Sequence, residues 1–285
     1  MSELLGTEEP ALQRQEPAPP VYFDGRRELA AHYLFGQGLE IGALHLPLAV
    51  PSDVTVRYVD RLTVAELRRD YPELADCTLV EADVIDNGEL LTTVEDGSQD
   101  FIIANHFLEH CEDPIAAIQN HLRKLRGGGV LFYAVPDKRY TFDWPRQVTS
   151  LQHMLADHEE GAERSRRDHY EEWARLVEIR SEETTEQTIA RARQLEAEGY
   201  SIHMHVWTQV EFLQLILAAR ERCDRAFDIE AAARQDIEFM VVLRKSGALP
   251  PPRPEPQHET VPSPGLRRKV RSTLGRLARR VGLRR

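Results

Sequence analysis

"GLEIGALHLPLAV", Gly38–Val50, begins as a short apolar strand, turns on Gly42 and then meets Pro47, with Pro51 just beyond its end. A glycine turn after a first strand is where a sheet of alternating strands and helices usually receives a nucleotide-like ligand. The long helix expected after such a turn is all but forbidden here. Each proline lacks an N–H and clashes with the preceding helical turn. The stretch therefore asks what ligand a loop without its helix can hold.

The segments on either side set the fold class. "RRELAAHYLF" reads as a short helix ended by Gly36 and Gly38. After "GLEIG" come "VTVRYVD" and "CTLVEADV" as second and third strands. Between them "TVAELRRDYPEL" is a helix opened by a threonine cap. "QDFIIANHF" is a fourth, strongly apolar strand, "DPIAAIQNHLRKLRGGG" a helix closed by glycines, and "VLFYAVPD" a fifth strand. Apolar strands of this length alternating with helices predict an α/β doubly wound, mostly parallel sheet covered on both faces. Residues 140–202 are polar and read as a helical insertion after strand five. "TQVEFLQLILAARERC" restores an amphipathic helix, and "FDIEAAARQD" with "IEFMVVLRK" closes the domain as an antiparallel pair.

The domain so bounded runs over residues 26–245. Residues 1–25 read as a disordered leader, 246–265 as a proline-rich linker and 266–285 as a basic amphipathic tail. The three cysteines, Cys77, Cys111 and Cys223, form no CxxC pair, which argues against a disulfide framework or a cysteine-based zinc site. No apolar run reaches membrane-spanning length and no signal core opens the chain, so a cytoplasmic location is expected. The net charge of −11 hides an asymmetry: nine of the 36 Lys/Arg lie in the tail, leaving 27 against 47 acidic residues elsewhere. Leu266, Val270, Leu274, Leu277 and Val281 place one apolar stripe on that tail, among arginines. That pattern suits an anionic membrane surface better than nucleic acid, whose phosphates the acidic body would repel.

Three features at the strand ends define a ligand site. Gly42, with Ala43 beside it, allows close approach to the backbone, and Glu40 lies one alternation away. Asp60 ends the second strand, where a carboxylate can accept both hydroxyls of a ribose. Asp83 ends the third, within range of an adenine. A dinucleotide would demand GxGxxG and a helix N-terminus for its pyrophosphate, and neither is present. A phosphate-free adenosyl ligand fits, and S-adenosylmethionine is the obvious one.

"GLEIGALHLPL", "VRYVDRL", "EADVID", "DFIIANHFLEHCEDP" and "GGGVLFYAVPDKRYTFD" together resemble a class I S-adenosylmethionine-dependent methyltransferase. More narrowly, they are similar to bacterial methyltransferase-domain proteins often associated with surface-glycan gene sets. The resemblance covers residues 38–143 strongly and continues to about Lys245, although the usual GxGxG is reduced to "EIGAL". It implies Glu40, Gly42, Asp60 and Asp83 as cofactor contacts, with Asn105 and His106 closing over the cofactor after strand four. It also implies a sugar or glycan hydroxyl as acceptor. A catalytically silent adenosylmethionine-binding scaffold is the rival reading, and a nicotinamide-dependent oxidoreductase a weaker one.

Direct displacement at the sulfonium methyl needs mainly alignment, but a hydroxyl acceptor also needs a base. Candidate bases are His106, Asp137, His203 and His205, unranked. In "IHMHVWT" the two histidines, two apart, can share one face of an extended segment. The insertion adds His153, Asp157, His158, Asp168 and His169. These residues can be metal ligands, acceptor-side groups or hydrogen-bonded lid histidines, and the chain is read without a metal. Tyr140, Phe142, Trp144, Trp173 and Trp207 can stack on a sugar or simply pack the lid.

Overall fold

The computed structural model describes residues 25–178 and 184–248. The expected leader, the basic tail and all but the first residues of the linker lie outside them. Seven strands form one sheet in the order β3-β2-β1-β4-β5-β7-β6. The strands are β1 (Gln37–Ile41), β2 (Thr55–Asp60), β3 (Val84–Ile85), β4 (Gln99–Asn105), β5 (Leu125–Pro136), β6 (Phe227–Gln235) and β7 (Glu238–Lys245). The first five run parallel, and β7 lies antiparallel between β5 and β6. This is the expected doubly wound sheet with its antiparallel close.

Strand alternation divides the core into two layers. Leu39, Ile41, Ile102, Ala104, Leu131 and Tyr133 point to one face, under helices α3 (Pro114–Lys124), α4 (Leu151–Glu160) and α7 (Gln209–Arg222). Phe101, Ile103, Val130, Phe132 and Ala134 point to the other, under α1 (Gly25–Tyr33). Helix α2 (Val64–Asp70) starts at the expected Thr63, which forms a full capping box with Glu66. No helix lies between β1 and β2. Instead Leu48, Val50 and Val54 of the connecting loop pack on the α1 face, covering sheet that a crossover helix would cover. The prolines thus shape the loop as the sequence foretold.

Two expectations need correction. The third strand, expected over 77–84, is regular only at Val84–Ile85. The Asp83 carboxylate takes the Tyr58 N–H at 2.8 Å in place of a backbone carbonyl, so the ladder stops short at this sheet edge. The glycines of "RGGG" do not cap α3. That helix ends at Lys124, whose ammonium bonds the Val94 carbonyl at 2.7 Å, and Leu125 already begins β5. Gly129 serves close approach instead, since a Cβ there would lie 3.0 Å from the Asp100 carbonyl oxygen.

The insertion after β5 carries α4, α5 (Arg166–Leu176) and α6 (Thr185–Glu198). Tyr170, Trp173, Val177, Leu195, Ile202 and Met204 give α5, α6 and the segment leading out of α6 a small core of their own. Arg146, fully buried, ties this lid down. It donates to Asp143 at 3.1 Å, to Glu172 at 2.8 Å and to the His203 carbonyl at 2.7 Å. Among the described residues no helix is long and apolar enough to cross a membrane.

Candidate functional site

The carboxyl ends of β1, β2, β4 and β5 face one edge of the sheet, where a doubly wound fold binds its ligands. At the end of β1, Gly42 adopts φ +66°, a conformation natural only to glycine, and a Cβ on it would meet no protein atom within 4 Å. The turn therefore leaves an open cradle. Glu40 does not open into it. It is 1% exposed, and both carboxylate oxygens accept the Leu48 N–H at 2.9 and 3.1 Å. Burial pushes its pKa up to about 7, against the opposing pull of the Leu48 bond and Arg26.

Asp60 is half-buried at the end of β2, with Oδ1 accepting the Leu62 N–H at 3.0 Å. Burial raises its pKa above the usual carboxylate value. Ala43 lies in the loop directly after the cradle, and Asp83 is exposed with its Oδ2 held by Tyr58. At the end of β4, the Asn105 side chain has both its amide nitrogen and its oxygen buried without a partner. A buried orphan amide costs free energy unless something bonds it. The open cradle, the acid and the orphan amide are what an adenosyl ligand with an amino-acid tail would satisfy.

His106, the next residue, takes φ +52°, rare outside glycine, and its side chain is 25% exposed. Its Nε2 lies 2.9 Å from Glu238 Oε2, and Glu238 is also paired with Arg26. Although burial works against its charge, these two bonds hold Glu238 down at about 2. An ionised carboxylate only accepts, so His106 Nε2 carries a proton, and in the neutral ring the lone pair falls on Nδ1. That Nδ1 is 3.5 Å from Glu109 Oε1. Glu109 is 1% exposed, both its oxygens lack partners, and burial lifts it to about 7.

His203 approaches Glu109 from the lid side, grouped with His110. Its Nδ1 lies 2.7 Å from Asp143, whose carboxyl is buried yet held below the usual range by His203 and Arg146. The ring is walled by Phe142, Trp173 and His110 at centroid distances of 4.9, 5.8 and 4.8 Å. His110 is itself driven to about 3 by burial and bonded to the Ile202 carbonyl.

The remaining expected residues part company. His205 does not join His203. It is fully buried, lowered to about 4 by burial, and faces His153 and His169. Asp137 is buried at the end of β5, where burial is outweighed by hydrogen bonds from Arg139 that hold its pKa low. An acid so held is a poor base. His158 pairs with Asp113, which caps α3 through the Ala116 N–H. Asp168 is exposed. Trp173 and Trp207 are core residues, whereas Tyr140 is 46% and Trp144 is 70% exposed just beyond β5. Sequence reasoning missed Glu109, Asp143 and Glu238. An acid inside the apolar run "IEFMVVL" was the available signal for the last.

The profile of the methyltransferase domain family matches residues 44–198, more than half of the chain. The chain belongs to that family, and S-adenosylmethionine is its methyl donor. Among solved structures it is similar to an S-adenosylmethionine-dependent methyltransferase from Methanosarcina mazei. The identity is 17% and the TM-score 0.42, over 77% of this chain and 96% of that one. It is also similar to one from Aquifex aeolicus, at 12% identity and TM-score 0.39, over 76% and 86% of the two chains. The CurJ carbon methyltransferase matches at 11% identity and TM-score 0.39 over 75% of this chain, which spans about half (49%) of that chain's length. A search of curated proteins found no match.

Two outcomes follow for this edge. Substituting Asp60 by Ala should weaken S-adenosylmethionine binding by about 1–3 kcal/mol in calorimetric titration, as two lost hydroxyl bonds require. Glu40 gives a pH signature. Its folded value of about 7 exceeds the unfolded 4.5, so rising pH between these values removes a proton more readily from the unfolded chain. Native stability then falls across that window. Glu40→Gln retains an acceptor for Leu48 and loses this term, so its melting temperature should gain on wild type from pH 5 to pH 7.5.

Proposed function

We propose that this methyltransferase transfers its methyl group to a hydroxyl of a sugar or glycan, with His106 as the general base. One observation carries the reading: a strained, partly exposed histidine at the end of β4 whose Nε2 is held by Glu238, an orientation in which the neutral ring would offer Nδ1 as its base. Residues held off the common backbone regions cluster at working sites. An amine acceptor needs only to be neutral, whereas a hydroxyl must lose a proton as the methyl arrives, so an oriented imidazole suits oxygen chemistry.

Gly42, Asp60 and Asn105 would hold the cofactor, with Ala43 and Asp83 at its margins and Glu40 supporting the loop from beneath. Bound there, S-adenosylmethionine supplies an activated methyl on a sulfonium leaving group. The protein's part is to align the acceptor oxygen with that methyl and to take its proton at His106 Nδ1. Glu109, buried and with its pKa raised to about 7, would take that proton next when ionised. His203 is enclosed by aromatic rings, so its bond to Asp143 supports a positioning role for the lid. The exposed Tyr140 and Trp144 rings support a sugar, whose apolar face stacks on aromatic rings. Arg234 and Arg139 flank the Tyr140 ring at 4.4 and 5.5 Å. The basic segment 266–285 would bring such an enzyme to an anionic membrane surface, where lipid-linked glycans are found.

His106→Gln should lower kcat for a hydroxyl acceptor by about 10²–10⁴-fold and leave S-adenosylmethionine affinity unchanged. Methyl transfer to a panel of sugar and glycan acceptors, followed by mass spectrometry, checks both statements. Cofactor binding with no methylated hydroxyl in any acceptor would point to the scaffold reading. Full activity in the variant would remove His106 as the base.

A further inference from the structure

A second cluster lies away from the sheet edge, inside the lid. His153 and Asp157 are one turn apart on α4 and therefore share a face. His169 comes from α5, and His205 from the extended segment that follows α6. One nitrogen or oxygen of each residue lies within 4.8 Å of all the others. His153 Nε2 is 3.0 Å from Asp157 Oδ2 and 3.1 Å from His169 Nε2. Ligand atoms around a tetrahedral zinc ion, with bonds near 2.0–2.1 Å, are about 3.3 Å apart.

The surroundings of the four residues have the form of an outer coordination sphere. Asp157 Oδ1 accepts the Ser165 hydroxyl at 2.7 Å, and His205 Nε2 lies 3.1 Å from the Glu112 carbonyl, to which it can only donate. His205 Nδ1 is left buried with no hydrogen-bond partner, while Asp157 Oδ2 turns into the cluster, 3.0 Å from His153 Nε2 and 3.9 Å from His205 Nε2. Metal-bound histidines and carboxylates are oriented by such contacts through their second atoms. A buried imidazole nitrogen without a partner, beside two further imidazoles and a carboxylate, is costly if nothing binds it. Asp157 and His205 are 2% and 0% exposed, so bulk water does not reach them. The rival group, Glu109, His110 and His203, has one ligand fewer, and His110 Nδ1 is already bonded to the Ile202 carbonyl.

We propose that His153, Asp157, His169 and His205 bind one divalent transition-metal ion, zinc by preference, as a closed site that locks the lid. Imidazole-rich sets favour zinc among the available divalent ions, and four protein ligands leave no position open for substrate. The ion would join α4, α5 and the segment 202–207 at one point. That same segment carries His203 and so connects the lid to the edge of the active site. This inference departs from the metal-free reading of the sequence and stands independently of the acceptor's identity.

The test uses the full chain, purified without a polyhistidine tag, stripped with a strong chelator and reloaded with zinc chloride. Elemental analysis after desalting should give about one zinc per chain. Stripping should lower the melting temperature by about 5–10 °C, and zinc should restore it. Cobalt(II) in its place should show the intense visible absorption of a tetrahedral site. His153→Ala, whose side chain is partly exposed, and Asp157→Asn should each bind less than about a tenth of an equivalent, while Glu109→Gln keeps its metal. Circular dichroism establishes that each variant is folded. Failure of the reloaded wild-type chain to retain zinc or cobalt would overturn the proposal. Equal retention by folded His153→Ala and Asp157→Asn would overturn it as well, as would metal lost only with Glu109.

Discussion

A carboxylate buried in the middle of the sheet sets the terms for everything around the cofactor edge. Glu40 lies in β1, between β2 and β4, on the face that α1 covers. An acid there is tolerable only if it is hydrogen-bonded. The Leu48 N–H supplies that bond, and it is free to do so because no helix follows β1. The same loop then lays Leu48, Val50 and Val54 on the sheet, so one contact fixes both the covering of the core and the path of the chain away from Gly42. The cradle at Gly42 stays open as a result.

Much of this was legible in the sequence because the relevant signals are local. Apolar runs bounded by breakers gave β1, β2, β4 and β5. Thr63 announced a helix start that it does cap. Pro47 and Pro51 foretold the lost helix. What escaped depends on distant partners. The short β3 follows from Asp83 reaching across to Tyr58, which no strand propensity encodes. The glycines after α3 read as a cap, yet Gly129 serves a close approach to β4 that only the folded sheet reveals. Glu238 meets His106 across 132 positions, and Asp143 meets His203 across 60. His203 and His205 looked like a pair on one face, and tertiary packing gives them to different clusters.

The two clusters suggest a division of labour. At the edge of the sheet, two histidines, each oriented by a carboxylate, stand around the neutral-leaning acid Glu109. That is the arrangement proposed to handle protons. In the lid, three histidines and an aspartate converge around a buried, unpartnered imidazole nitrogen, and their proposed part is structural. Arg146, buried between Asp143, Glu172 and the backbone of the 203–204 segment, couples the two regions mechanically. A rigid lid is useful to a methyl transfer, whose rate depends on in-line alignment more than on bond activation.

The most direct test of the account is amide hydrogen exchange, read with and without saturating S-adenosylmethionine. The account predicts slowed exchange in the loop from Gly42 to Leu48, at Asp60–Leu62 and at Asn105–His106, with little change in β6 and β7. Protection confined to the lid or the antiparallel strands, with the Gly42 loop unaffected, would contradict it.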